Sequence, residues 1–228
     1  MANTIKTPQT DLRTAITDRA QELALSTFST AEMSRYLTRA ALRLRSKVDF
    51  PETRLASSLS FTASSTLPYA TVAAPTAWNG KPIYLNNADQ DYTFHYMHPD
   101  ALRQLVSDSY GYEFVEHAFA IDGANLVIYH STTETLTLNH YSKYLVATVT
   151  TETPKETFNT DGTTGDFFIP DAEELLILQT LLILANKEPD SATKYAELRL
   201  EFAEALDEYK KNNPSQALEV IERGDYIG

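Results

Sequence analysis

With 228 residues, 43% of them hydrophobic, the chain has enough apolar material for one large domain or two modest ones, and its composition shows neither a disordered nor a collagen-like bias. A net charge of −12 argues against a general binder of nucleic-acid backbones, whose affinity comes from Lys and Arg releasing counterions. The lack of cysteine removes disulfides, thiolate zinc sites and cysteine nucleophiles together.

The opening stretch MANTIKTPQTDLRTAITDRAQ has no apolar run of the kind a secretory signal needs, so assembly in the cytoplasm is the expectation. Asp11 to about Leu25, with Leu12, Ile16, Ala20 and Leu23 on one side, predicts a weakly amphipathic helix within an N-terminal arm of residues 1–28. The stretch STAEMSRYLTRAALRLRSKVDFP predicts a stronger helix over 29–48. Ser29 and Glu32 fit a capping box, Met33, Leu37, Ala40, Leu44 and Val48 recur at helical spacing, and Pro51 marks the stop. Arg35, Arg39 and Arg43 fall four apart on one face of this helix. They read as solvated or acid-paired charge, with DNA phosphate contact as the lesser reading.

From about Ala56 the pattern becomes β. SSLSFTAS alternates Leu59 and Phe61 with small polar residues, KPIYLNN is a short apolar strand, and HAFAIDGANLVIYHS places Asp122 and Gly123 between two apolar runs as a hairpin would. TLTLNHY alternates Leu136 with Leu138. Within this region HPDALRQLVSD predicts a short helix opened by Pro99, with Leu102 and Leu105 inward. TETPKETFNTDGTTGDFF is a turn-rich connector. The β-rich stretch therefore runs over 56–164, between helical segments at 29–55 and 165–213.

Between Glu174 and Lys187 stand twelve uncharged residues, nine of them Leu, Ile or Ala. A membrane span needs ~18–20 apolar residues, so this run must be covered by protein. Its apolar residues lie all around a helix predicted over 171–187, which calls for covering on every side, by neighbouring subunits in a ring or by the β-rich insertion packing over it within one chain. A last helix over 191–211 carries a seam of Tyr195, Leu198, Phe202, Leu206 and Tyr209, with Glu197, Glu201, Glu204, Asp207 and Glu208 outside it, a sufficient acidic complement for the arginine row. The two helices form a predicted antiparallel hairpin. Beyond Pro214 the tail over 214–228 carries Leu218, Val220, Ile221, Tyr226 and Ile227, too few apolar residues for a core of its own.

Charge follows the same division, with +3 over residues 1–55, −8 over 56–169 and −7 over 170–228. The five histidines, His95, His98, His117, His130 and His140, all fall in the β-rich stretch and none forms an HExxH pair. His95 and His98 are spaced as metal ligands on a helix would be, but Pro99 favours a turning backbone there. NNADQDY and NTDGTTGD are rich in the oxygens calcium wants, yet neither matches a calcium loop, and such strings are ordinary turns. No phosphate-binding loop, nucleophile elbow or dinucleotide fingerprint is present. No catalytic residue, cofactor or metal is assigned.

The whole pattern reads as α+β: a helical bundle interrupted by a β-rich insertion. In that order of elements, SRYLTRAALRLRSKV, then TLPYA, then FAIDGANLVIYHS and TLTLNHY, then IPDAEELLILQTLLILANKEPDSATKYAELRLEFAEALDEYKK, the chain resembles the head-to-tail adaptor, or connector, proteins of tailed bacteriophages. The resemblance implies a non-enzymatic virion subunit, usually in rings of twelve, beneath the portal protein and joined to tail components, with DNA passing through the centre. It also implies a C-terminal segment reaching to the portal. The subunit or portal interface is then expected at Arg35, Arg39, Arg43, Leu218, Val220, Ile221, Tyr226 and Ile227. The β stretch exceeds that of the simplest all-helical adaptors. The alternative is a cellular β-sandwich binding module that recognises a protein or glycan through aromatic residues such as Trp78, Tyr92, Phe94 and Tyr96.

Overall fold

A computed structural model describes residues 7–26, 28–87, 89, 91–107, 117–147, 154–155, 157–158, 165–167, 169–188 and 190–213. The chain forms two compact units, one of Met1–Thr53 with Lys143–Gly228 and one of Arg54–Ser142. A two-residue strand β1 (Thr7–Pro8) leads into helix α1 (Gln9–Glu22), and α2 (Thr30–Lys47) follows. The capping box is present. Ser29 Oγ accepts the Glu32 N–H at 3.4 Å, while Glu32 Oε2 accepts the Ser29 N–H at 3.0 Å. The Ser29 hydroxyl, which donates to Glu32 Oε2 at 2.7 Å, and then the Ser29 N–H hold the Glu32 carboxyl below its usual range. All five residues of the predicted apolar stripe on this helix are buried.

The second unit is built on a seven-stranded sheet. Its elements in chain order are β2 (Arg54–Phe61), β3 (Tyr69–Ala73), β4 (Trp78–Asn87), β5 (Thr93–Tyr96), helix α3 (Pro99–Ser107), β6 (Ala118–Asp122), β7 (Asn125–Tyr129) and β8 (Glu134–Ser142). The strand order is β2-β8-β4-β5-β6-β7-β3. Every pairing is antiparallel except β5 with β6, between which α3 lies in the chain. The edge strands β2 and β3 approach each other, so the sheet curls. Its inner face holds Leu59, Phe61, Leu85, Phe94, Phe119, Leu126, Ile128, Leu136 and Leu138. Alternation sends Ala118, Ala120, Val127 and Tyr129 to the other face, where Leu102 of α3 packs on them. The β6–β7 hairpin turns on Gly123 and Ala124, and Gly123 has φ +61°, which favours glycine.

The chain then returns to the first unit through β9 (Val146–Ala147), β10 (Pro154–Lys155) and β11 (Asp166–Phe167), which form a small sheet with β1 in the order β1-β11-β9-β10. A 3-10 turn over Pro170–Ala172 opens α4 (Glu173–Ala185), and α5 (Ala192–Asn212) closes the described chain. Every residue of α4 from Leu175 to Ala185 is buried. Its cover comes from this chain alone: α1, α2 and α5 pack on it, and Leu145, Val146, Phe158, Phe167 and Ile169 join the same core. Leu12, Ile16 and Ala20 belong to that core, so α1 is a core helix rather than a free arm. Two polar side chains of α4 are satisfied locally. Thr180 Oγ1 donates to the Leu176 carbonyl at 2.8 Å, and Gln179 Oε1 accepts from Lys47 Nζ at 3.1 Å.

The expected architecture of a helical bundle carrying a β insertion is therefore corrected. The chain is a mixed α/β protein, and the curled seven-stranded sheet, with its own core, is its main element. The short runs that become β3 and β5 have little local alternation. They are strands because β7, β4 and β6 pair with them, an effect no local window contains.

Candidate functional site

The arginine row lies on the solvent face of α2. Arg35, Arg39 and Arg43 are all exposed, and among the described residues none forms an ion pair, although the charge of Arg35 adds to the lowering of the Glu32 carboxyl. Leu42, seven residues after Arg35 and three after Arg39, falls on the same face and is 39% exposed. The face thus sets an apolar side chain among three guanidinium groups. At its C-terminal end Lys47 lies within reach of the charges of Arg43 and Arg199. Burial first, then the charges of Arg43 and Arg199, push its ammonium pKa down. Lys47 Nζ sits 4.5 Å from the centre of the Phe202 ring.

The acids of α5 do not reach this row. Glu201 is taken by Arg19 of α1 at 2.6 Å, and the same guanidinium meets Glu174 at 2.5 Å. Burial acts to lower the Arg19 pKa, but Glu174 and Glu201 outweigh it and the net shift is upward. Asp207 pairs with Lys211 at 2.6 Å, and Glu197 and Glu204 point to solvent. Glu208 lines a groove instead. Asp171, Glu174, Leu175, Ala205, Glu208, Tyr209, Asn212 and Asn213 enclose about 440 Å³ where the start of α4 meets the end of α5. Leu175 and Tyr209 form an apolar floor, and among the described residues Asp171 and Glu208 form no ion pair, although the charge of Glu208 adds to Asp207 in raising the Lys211 pKa.

The sheet unit holds a polar cluster that sequence reasoning did not assemble. Tyr92 precedes β5, His117 precedes β6, His130 follows β7 and Glu134 begins β8, so side chains from the ends of four strands, one of them not adjacent to the other three in the sheet, meet at one place. The Tyr92 hydroxyl donates to Glu134 Oε1, and His130 Nε2 meets the same oxygen. His130 Nδ1 lies 3.2 Å from His117 Nδ1, and the His117 ring stacks on Tyr92 with centroids 4.0 Å apart. Burial, then the hydrogen bond and charge of Glu134 and the charge of Asp91, raise the Tyr92 phenol above its ordinary pKa and keep it a donor. This cluster ties strand ends together. The histidines were visible in the sequence, but nothing in their spacing signalled that Tyr92 and Glu134 would join them.

His140, fully buried, serves the sheet in the same way, accepting or donating to Ser57 Oγ at 2.9 Å through Nε2 and to the Tyr141 carbonyl at 3.1 Å through Nδ1. The carbonyl can only accept, so Nδ1 carries the proton and Nε2 takes the Ser57 hydroxyl. His95 and His98 are exposed and stay apart in role: His98 Nδ1 sits 3.5 Å from Asp100. Among the described residues no three His, Cys, Asp or Glu side chains are placed to hold a metal ion. Asn87 Oδ1 accepts the Asp91 N–H at 2.8 Å, an ordinary turn use of an asparagine oxygen. Most of NTDGTTGD lies outside the described residues.

Of the four aromatic residues proposed for a binding module, only Tyr96 is exposed. Phe94 is in the sheet core and Trp78 and Tyr92 pack against it. Leu218, Val220, Ile221, Tyr226 and Ile227 lie outside the described residues. Among the described residues no helix is long and apolar enough to cross a membrane. Compared with protein-family models and with curated proteins, the chain matches none.

Proposed function

We propose that this chain is a structural subunit of a tailed-bacteriophage particle, a ring-forming head-to-tail adaptor that joins the portal protein to tail components while DNA passes through the ring. The observation that carries the reading is the face of α2 bearing Arg35, Arg39, Leu42 and Arg43, exposed and, among the described residues, in no ion pair, on a chain of net charge −12. A basic face left open on an acidic protein suits a contact in which one copy offers cations and the next offers acids. Such heterologous contacts between identical chains close into rings when the rotation allows. The overall negative charge suits a lumen through which DNA moves without being gripped.

The complete cover of α4 within one chain bears on stability before assembly. A subunit that needs no neighbour to bury its most apolar helix can wait as a folded monomer until it meets the portal. The tail over 214–228 is assigned to the portal contact, as in the family the chain resembles. The test is to mix the full chain with the portal protein of the same particle and image the product by electron microscopy. Rings stacked on the portal are expected, and deletion of 214–228 should leave the melting temperature unchanged while abolishing portal attachment. A chain that stays monomeric and unattached in the presence of portal sinks the reading.

A further inference from the structure

We infer that the acidic groove between the start of α4 and the end of α5 is the receptor for the arginine face of α2 from a second copy of this chain. The inference rests on the ring reading above and names the two surfaces that meet. Both surfaces belong to the helical unit, and they match in pattern. The face is basic with Leu42 among its arginines; the groove is acidic, with Leu175 and Tyr209 as a floor between Asp171 and Glu208. Arg35 to Arg43 spans eight residues, roughly 12 Å along a helix, a length that lets more than one guanidinium meet the acidic rim.

Among the described residues Arg19 claims Glu174 at the groove, but the arginine row, Asp171 and Glu208 are left without ion pairs. On α5, Glu201 is taken by Arg19 and Asp207 by Lys211, so neither is left for the arginines, whose one acid in electrostatic reach among the described residues is Glu32, beside Arg35. Asp171 and Glu208 form no ion pair among the described residues, although the charge of Glu208 acts on Lys211. Leu42 is 39% exposed on a face that is otherwise charged, which is the arrangement of an apolar anchor ringed by charge. The contact is heterologous, since α2 of one copy meets α4 and α5 of the next. Each copy therefore offers its face to one neighbour and its groove to the other.

The experiment uses the full chain with portal protein and reads ring yield by electron microscopy and sedimentation at low and high salt. Arg39→Glu and Glu208→Arg alter exposed side chains, so each monomer should melt as the wild type does. Each variant alone should lose rings by about tenfold or more at low salt, because like charges then face each other across the contact. The double variant Arg39→Glu/Glu208→Arg should regain them. An equimolar mixture of the two single variants should regain them too, since alternating copies present one exchanged pair and one native pair. Leu42→Asn should weaken assembly without strong salt dependence. If wild type forms rings and both single variants form them equally well, the pairing is wrong and the ring reading stands. If Glu208→Arg blocks assembly or portal attachment while Arg39→Glu does not, the groove has another occupant, such as the tail over 214–228, and the inference falls. Single variants that fail and are rescued by neither the double variant nor the mixture overturn it as well. A wild type that forms no rings with portal removes both readings together.

Discussion

The helical unit and the sheet unit bury their apolar residues by opposite routes. In the first, one helix, α4, is covered from all sides by α1, α2 and α5, and its polar members find partners within a turn or on the adjacent helix. In the second, no strand is apolar throughout. Each sends alternate residues to the inside of the curl, and the core is assembled from seven strands that are mostly distant in sequence. The helical core thus depends on one element, whereas the sheet core depends on register. Damage to α4 should be general within its unit, and damage to one strand should spread through its pairing partners.

That contrast can be broken most severely at Leu178, which is 1% exposed in the middle of α4. Leu178→Asp should abolish soluble folding, because an unpaired charge in an apolar site costs several kcal/mol against a total of ~5–15 kcal/mol. Leu200→Asp, at a position 67% exposed on α5, should leave yield and melting unchanged. Equal behaviour of the two variants would show that α4 is not the centre of its unit. In the sheet, Phe119→Ala removes a side chain 1% exposed and should cost ~3–5 kcal/mol. Hydrogen exchange should then rise in β5 to β8 while α4 amides keep their protection. Loss of α4 protection to the same degree would erase the distinction between the two cores.

A smaller effect sharpens the comparison through pH. Burial lowers the pKa of His140, opposed by its bond to the Tyr141 carbonyl. The folded chain therefore refuses a proton that the unfolded chain accepts. Stability from this site is complete above the ordinary histidine pKa of ~6.5 and declines as pH falls below it. Thermal melting should drop between about pH 7 and pH 5, and His140→Gln, which can still accept from Ser57, should flatten the profile in that window. An unchanged slope in the variant would remove His140 as its source.

How much of this was legible in the sequence follows the same contrast. Capping at Ser29 and Glu32, the stripe from Met33 to Val48 and the all-round apolar surface of α4 are local signals with a helical period, and the helices appear where those residues place them. The hairpin at Gly123 was equally local. The sheet as the main element was not, because Tyr69–Ala73 and Thr93–Tyr96 become strands through partners far along the chain. At the candidate interface the arginine row was readable from its four-residue spacing. Its supposed acidic complement on α5 was not readable, since only the packing of α1 shows that Arg19 claims Glu201. Asp171 and Glu208 share a groove because a 3-10 turn meets a helix end, and no spacing rule joins positions so far apart.

The strand pair between Thr7 and Phe167 sets a schedule for synthesis. The helical unit is discontinuous, so α1 and α2 leave the ribosome long before α4, the element that covers their apolar sides. The whole sheet unit is translated in between. At ~5–20 residues per second, the interval from the end of α2 to the start of α4 lasts roughly 6–25 s. During that time Leu12, Ile16, Leu37 and Leu44 wait without their final neighbours, while the sheet has every strand it needs. The nascent chain must therefore carry a finished domain between two halves of an unfinished one, and that interval is where a holdase chaperone would find its grip.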